Sequence, residues 1–108
     1  MVIRGAVYRV DLGKPRGHEQ GGRRYGLVVS PSDMPWSVAT VVPTSTSASP
    51  ALFRPQFEIA GTQTVFLTDQ VRSIDTNYIF DMVALLSLSE LATVERALTR
   101  YLGLVASG

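Results

Sequence analysis

The stretch Ala6-Val7-Tyr8-Arg9-Val10-Asp11-Leu12 decides the fold. It alternates, with Tyr8, Val10 and Leu12 on one face and Arg9 and Asp11 on the other, which is the period of a half-buried strand. Gly13 stops it. From Gly13 to Arg23 the chain carries five residues of type glycine or proline (Gly13, Pro15, Gly17, Gly21, Gly22) and almost nothing apolar, so a long exposed loop follows the strand. Loops of that length in small proteins are usually functional or disordered. Arg24 to Ser30 reads as a second strand around Leu27, Val28 and Val29. The segment from Ser32 to Trp36 turns the chain. Val38 to Val42 is a third, β-branched strand that Pro43 is expected to close.

A polar, low-complexity loop occupies the space between Pro43 and Pro55. Gln56 to Ile59 and Thr64 to Val71 look like hairpin arms around Ala60 and Gly61. The apolar run Met82 to Leu86 reads as a last, buried strand. Ser87 with Glu90 three residues on forms a capping-box signature. Leu91, Val94, Leu98, Tyr101 and Leu102 follow at helical spacing, and Gly103 supplies the stop. The expected architecture is a single domain over residues 1–108: a curled, mainly antiparallel sheet with one C-terminal helix packed on it.

Composition narrows the chemistry. Of 108 residues, 45% are hydrophobic and 18% charged, a globular balance. With no cysteine and one histidine, His18, the chain excludes disulfide scaffolds, thiolate metal sites, a cysteine nucleophile and two-histidine chemistry. No apolar run reaches the roughly 20 residues of a membrane span, and Met1 to Gly5 lacks a signal peptide's apolar stretch, so a soluble, cytoplasmic protein is expected. P-loop, dinucleotide, His-Glu-x-x-His and Gly-x-Ser-x-Gly motifs are all missing. Asp69, Asp75 and Asp81 could be imagined as a magnesium cluster, but Asp69 falls in an apolar strand and the other two flank turns, so no metal is assigned.

Charge is uneven although the net value is only +1. The first 25 residues hold Arg4, Arg9, Lys14, Arg16, Arg23 and Arg24 against Asp11 and Glu19, and nine of the ten basic residues are arginine. Arginine's planar fork grips phosphate bidentately and stacks on bases, which suits an anionic partner; a solvated basic face is the plainer alternative. Arg24 enters a strand at a loop mouth, and Thr44, Ser45 and Thr46 leave a strand into the second loop. If the two strands are neighbours, a guanidinium and a hydroxyl can meet at one end of the sheet. There they could stabilise a phosphorane, or simply form a surface ion pair and a turn.

Five segments then form one ordered pattern: Val7 to Gly13 (Val-Tyr-Arg-Val-Asp-Leu-Gly), Pro15 to Arg24 (Pro-Arg-Gly-His-Glu-Gln-Gly-Gly-Arg-Arg), Leu27 to Pro31 (Leu-Val-Val-Ser-Pro), Val41 to Thr46 (Val-Val-Pro-Thr-Ser-Thr), and Asp69 to Asp75 (Asp-Gln-Val-Arg-Ser-Ile-Asp). With the Leu-Ser-Leu-Ser-Glu-Leu helix start and the Leu-Gly-Leu end, this order resembles the MazF/PemK family of toxin endoribonucleases from Arg4 to Leu104. The resemblance implies an SH3-like small barrel, a homodimer, metal- and cofactor-independent cleavage of single-stranded RNA, and inhibition by a cognate antitoxin.

Carried over by residue, the family's catalytic arginine falls on Arg24, its catalytic threonine on Ser45 and its loop acid on Glu19. Arg24 would stabilise the phosphorane and Ser45 would hold a phosphate oxygen; arginine keeps its proton, and of Glu19 and His18 in the same loop Glu19 is favoured as general base because the family pattern covers it. Arg16, His18, Arg23, Tyr25, Thr44 and Thr46 are the expected RNA-contacting set. Two departures stand out: serine replaces threonine at 45, and tyrosine replaces the usual proline at 25. The alternatives are a CcdB-like gyrase poison and a catalytically weakened interaction module. The CcdB-like toxin acts through a C-terminal Trp-Gly-Ile tail, whereas this chain ends Val-Ala-Ser-Gly with its one tryptophan at Trp36.

Overall fold

A computed structural model describes residues 2–33 and 37–104. Trp36, most of the predicted turn around it and the C-terminal tail therefore lie outside the described residues. Seven strands and one helix follow in order: β1 (Ala6–Asp11), β2 (Arg23–Val28), β3 (Val38–Ser45), β4 (Gln56–Ile59), β5 (Thr62–Phe66), β6 (Arg72–Asp75), β7 (Ile79–Leu85) and α1 (Leu88–Tyr101). All pairings are antiparallel, in the order β4-β5-β3-β2-β1-β7, with β6 also on β3. The sheet curls into a half-barrel, and α1 packs against it.

Strand alternation divides the core in two. Tyr8, Val10, Leu12, Val28, Val41, Ile74 and Ile79 fill one side. Val7, Leu27, Val42, Ile59, Phe66, Leu86 and Val94 fill the other, with Leu91 and Leu98 of α1 lying over them. Neighbouring residues such as Leu27 and Val28, or Val41 and Val42, thus serve opposite faces. This explains why the central strands read as continuous apolar runs.

The helix ends are built as the sequence predicts. The Ser87 hydroxyl accepts from the Glu90 amide at 3.1 Å, and the Glu90 carboxylate accepts from the Ser87 amide at 2.8 Å. At the other end Gly103 takes a φ of 69°, with its amide on the Arg100 carbonyl and the Leu104 amide on that of Thr99. That is a Schellman stop.

Four readings are corrected. Pro43 does not close β3: it stands inside the strand where β3 leaves β2 for β5, and a residue without an N–H is tolerated at that junction. The second hairpin arm ends at Phe66. After it come a 3-10 turn (Thr68–Gln70) and the separate strand β6, so Asp69 lies in a turn and not in an apolar strand. The last strand starts earlier than expected, and it is an edge strand with Phe80, Met82 and Leu85 exposed. Thr44 and Ser45 belong to β3, and both are buried. Among the described residues no helix is long and apolar enough to cross a membrane.

Candidate active site

β2 and β3 pair only as far as Gly26 opposite Pro43. Beyond that point β2 continues along β1 through Tyr25, Arg24 and Arg23, while Thr44 and Ser45 of β3 pair with Phe66 and Val65 of β5. The parting of the two strands opens a cleft of about 490 Å³. Its walls carry Arg9, Arg23, Arg24 and Tyr25 on one side, Thr44, Ser45 and Thr46 on another, and Phe80 and Asp81 at the rim. Three guanidiniums against one carboxylate make it a site for an anion.

Arg24 is held at the mouth by its own loop. Its Nε donates to the Gly21 carbonyl at 2.8 Å and its Nη1 reaches the Thr44 carbonyl at 3.5 Å. These bonds fix the guanidinium plane and leave the remaining donors for a ligand. Thr44 spends its hydroxyl on the Tyr25 carbonyl at 2.8 Å, tying the two diverging strands together. Ser45 is only 4% exposed. Its Oγ accepts from the amides of Ser47 at 3.2 Å and Ala48 at 3.0 Å. Those bonds occupy acceptor positions and leave the hydroxyl proton to be donated, to Ser47 Oγ at 3.3 Å or to a ligand in the cleft.

Arg24, Ser45, Arg23, Tyr25, Thr44 and Thr46 therefore come together. Arg16, His18 and Glu19 do not: all three are exposed on the first loop, away from the cleft walls. The loop is closed at its neck by the Leu12 amide on Gly22 O (2.9 Å) and the Gly22 amide on Gly13 O (2.6 Å). Its tip is pinned to Gln70, which accepts from the Gln20 amide at 2.7 Å and donates to His18 O at 3.3 Å. The Glu19 carboxylate lies 3.8 Å from Arg72 Nη1.

Arg9, Phe80 and Asp81 are cleft residues that the sequence reading missed. Arg9 is the outward-facing member of β1's alternation, and Phe80 falls just before the run assigned to the last strand. Their juxtaposition depends on the register of β7, which no local pattern reveals. Asp69, Asp75 and Asp81, to which no metal is assigned, have separate partners: Asp69 pairs with Arg54, Asp75 accepts from the Asn77 amide, and Asp81 pairs with Arg9. Among the described residues no three potential metal ligands come together.

Residues 3–102 match the family described as "PemK-like, MazF-like toxin of type II toxin-antitoxin system". The chain belongs to this family. It is 62% identical, over 96% of its own length and all of the relative's, to a Mycobacterium tuberculosis protein named "Putative toxin Rv3098A". In structure it is similar to MazF from Deinococcus radiodurans, with a TM-score of 0.84 and 28% identity over 95% of this chain and 97% of that one. It also shares its fold with an endoribonuclease from a mycobacterial species solved with its cognate antitoxin: TM-score 0.81, 21% identity, 99% and 100% covered.

Proposed function

We propose that this toxin is a sequence-specific endoribonuclease that cuts single-stranded RNA without a metal. The ribose 2′-hydroxyl gives its proton to a base as its oxygen attacks the adjacent phosphorus, the P–O5′ bond breaks, the departing 5′-oxygen takes a proton from water, and the products carry a 2′,3′-cyclic phosphate and a 5′-hydroxyl. The observation that carries this reading is the placement of Arg24 beside Ser45 where β2 and β3 part. An oriented guanidinium meets the charge that develops on the phosphorane, and the Ser45 hydroxyl donates to a second phosphate oxygen. Arg23, Tyr25 and Thr46 contact the flanking nucleotides.

Glu19 is the general base in this scheme, and it must travel. The loop neck is fixed by its two backbone bonds, while the tip rests on two bonds to Gln70 and a long ion pair to Arg72. Release of these tip contacts, with the neck held, is what would bring the carboxylate to the cleft. The same cationic cleft suits the acidic tail of a cognate antitoxin, whose binding would exclude RNA.

The test is cleavage of a mixed-sequence single-stranded RNA by the purified toxin with EDTA in excess. Cyclic-phosphate fragments at an unchanged rate are expected, and Glu19→Gln should lower the rate. Intact RNA, or a rate that EDTA removes and magnesium restores, contradicts the proposal.

A further inference from the structure

A carboxylate at the rim of a cleft built for a polyanion calls for an explanation. Asp81 gets there through a bulge. Tyr8 pairs with Met82 and Val10 with Ile79, so β1 spends one residue, Arg9, where β7 spends two, Phe80 and Asp81. Bulges re-aim side chains, and this one brings both Phe80 and Asp81 to the cleft opposite Arg9. Arg9 Nε donates to Asp81 Oδ2 at 3.1 Å, which orients the carboxylate and leaves Oδ1 and the second lone pair of Oδ2 to accept from a ligand. Around it, the Arg9 guanidinium lies 5.6 Å from the centre of the Tyr25 ring, and that of Arg23 lies 5.7 Å from the centre of the Phe80 ring. The rim is thus a paved surface of guanidinium and ring planes on which an unstacked base can lie.

We infer that Asp81, positioned by Arg9, reads a guanine of the RNA at this rim. The inference rests on the endoribonuclease reading above. A carboxylate only accepts, and it matches two parallel N–H donors. Guanine's Watson–Crick edge offers adjacent N1–H and N2–H groups. Cytosine and adenine each set a ring-nitrogen acceptor beside the amino group, which the carboxylate repels, and uracil flanks its one N–H with two carbonyls. Single-stranded RNA leaves that edge free to be read. Asp81 is a specificity residue here, and Arg9 acts through it.

The experiment maps the sites cut by the wild-type toxin in a mixed-sequence RNA, then replaces the guanine common to those sites with inosine, which lacks the 2-amino group. The wild type should cut the inosine substrate about 10-fold to 100-fold more slowly, the discrimination typical of a bidentate base contact. Asp81→Ala should cut both substrates at one rate. Its melting temperature should hold, because the side chains of the Arg9–Asp81 pair are 57% and 65% exposed. Sites with no common guanine, or an Asp81→Ala variant that keeps the wild-type guanine-to-inosine ratio, overturn the inference while leaving the nuclease reading intact. A wild-type protein that cuts no RNA removes both.

Discussion

Thr44 and Ser45 are adjacent hydroxyl residues in opposite states. Thr44 donates to the Tyr25 carbonyl and joins two strands, whereas Ser45 accepts two amides and has its proton to give, to Ser47 Oγ or to a ligand in the cleft. Their alanine variants should therefore differ. Ser45→Ala is expected to slow RNA cleavage far more than it weakens RNA binding, because a bond to a phosphate oxygen gains strength as charge builds. Thr44→Ala should mainly lower the melting temperature, by an amount reflecting about 1 kcal/mol for the lost hydrogen bond. Ser45→Thr should keep activity, since it retains the donor at a β-strand position that suits a branched residue. Cleavage rates and thermal melts of the three variants decide this; equal rates in both alanine variants would strip Ser45 of its role. Residue type alone does not distinguish the three hydroxyls at 44, 45 and 46, and only the family pattern singles out Ser45, because hydrogen-bond partners across strands are not local information.

At the level of elements, an ion pair and a hydroxyl tie the second loop to the 3-10 turn Thr68–Gln70. Arg54 grips Asp69 through Nε at 2.9 Å and Nη2 at 2.6 Å, and the Thr68 hydroxyl donates to the Phe53 carbonyl. The hydrogen bonds from Arg54 hold the Asp69 carboxyl below its ordinary value, against a smaller opposing effect of desolvation. A depressed carboxyl adds stability above its unfolded pKa of about 3.9, and that stability fades as the pH falls through the lower folded value. Asp69→Asn should cost about 1 kcal/mol at pH 7 for this partly exposed pair, or about 4–8 °C in melting temperature. The gap between variant and wild type should close in acid well below pH 4; a gap that persists there would deny the pair its role. The helix was legible because its caps and apolar spacing are local. β7 was misjudged because an apolar run looks the same whether buried or on an edge. Pro43 was misread as a stop because the exchange of partners that accommodates it involves β5, more than 20 residues on.

Across the whole molecule, the order of motifs along the chain carried the family, and the parting of β2 from β3 carries the site. Arg24 and Ser45 could be paired from sequence because each sits at a strand end. Arg9 and Asp81 could not, because they stand 72 residues apart and a bulge in β7 aligns them. The exposed edge of β7, with Met82 44% and Leu85 65% accessible, is an apolar border that suits the homodimer implied by the family resemblance. Light scattering should give twice the chain mass, and Leu85→Arg should shift it toward the monomer; a wild-type monomer at all concentrations contradicts the dimer. In the proposed mechanism Arg24 stabilises the transition state without supporting the fold. RNA cleavage and thermal melting of Arg24→Ala, measured beside the wild type, test this. The expected rate is at least about 100-fold lower with the melting temperature unchanged. Wild-type cleavage by Arg24→Ala would contradict it.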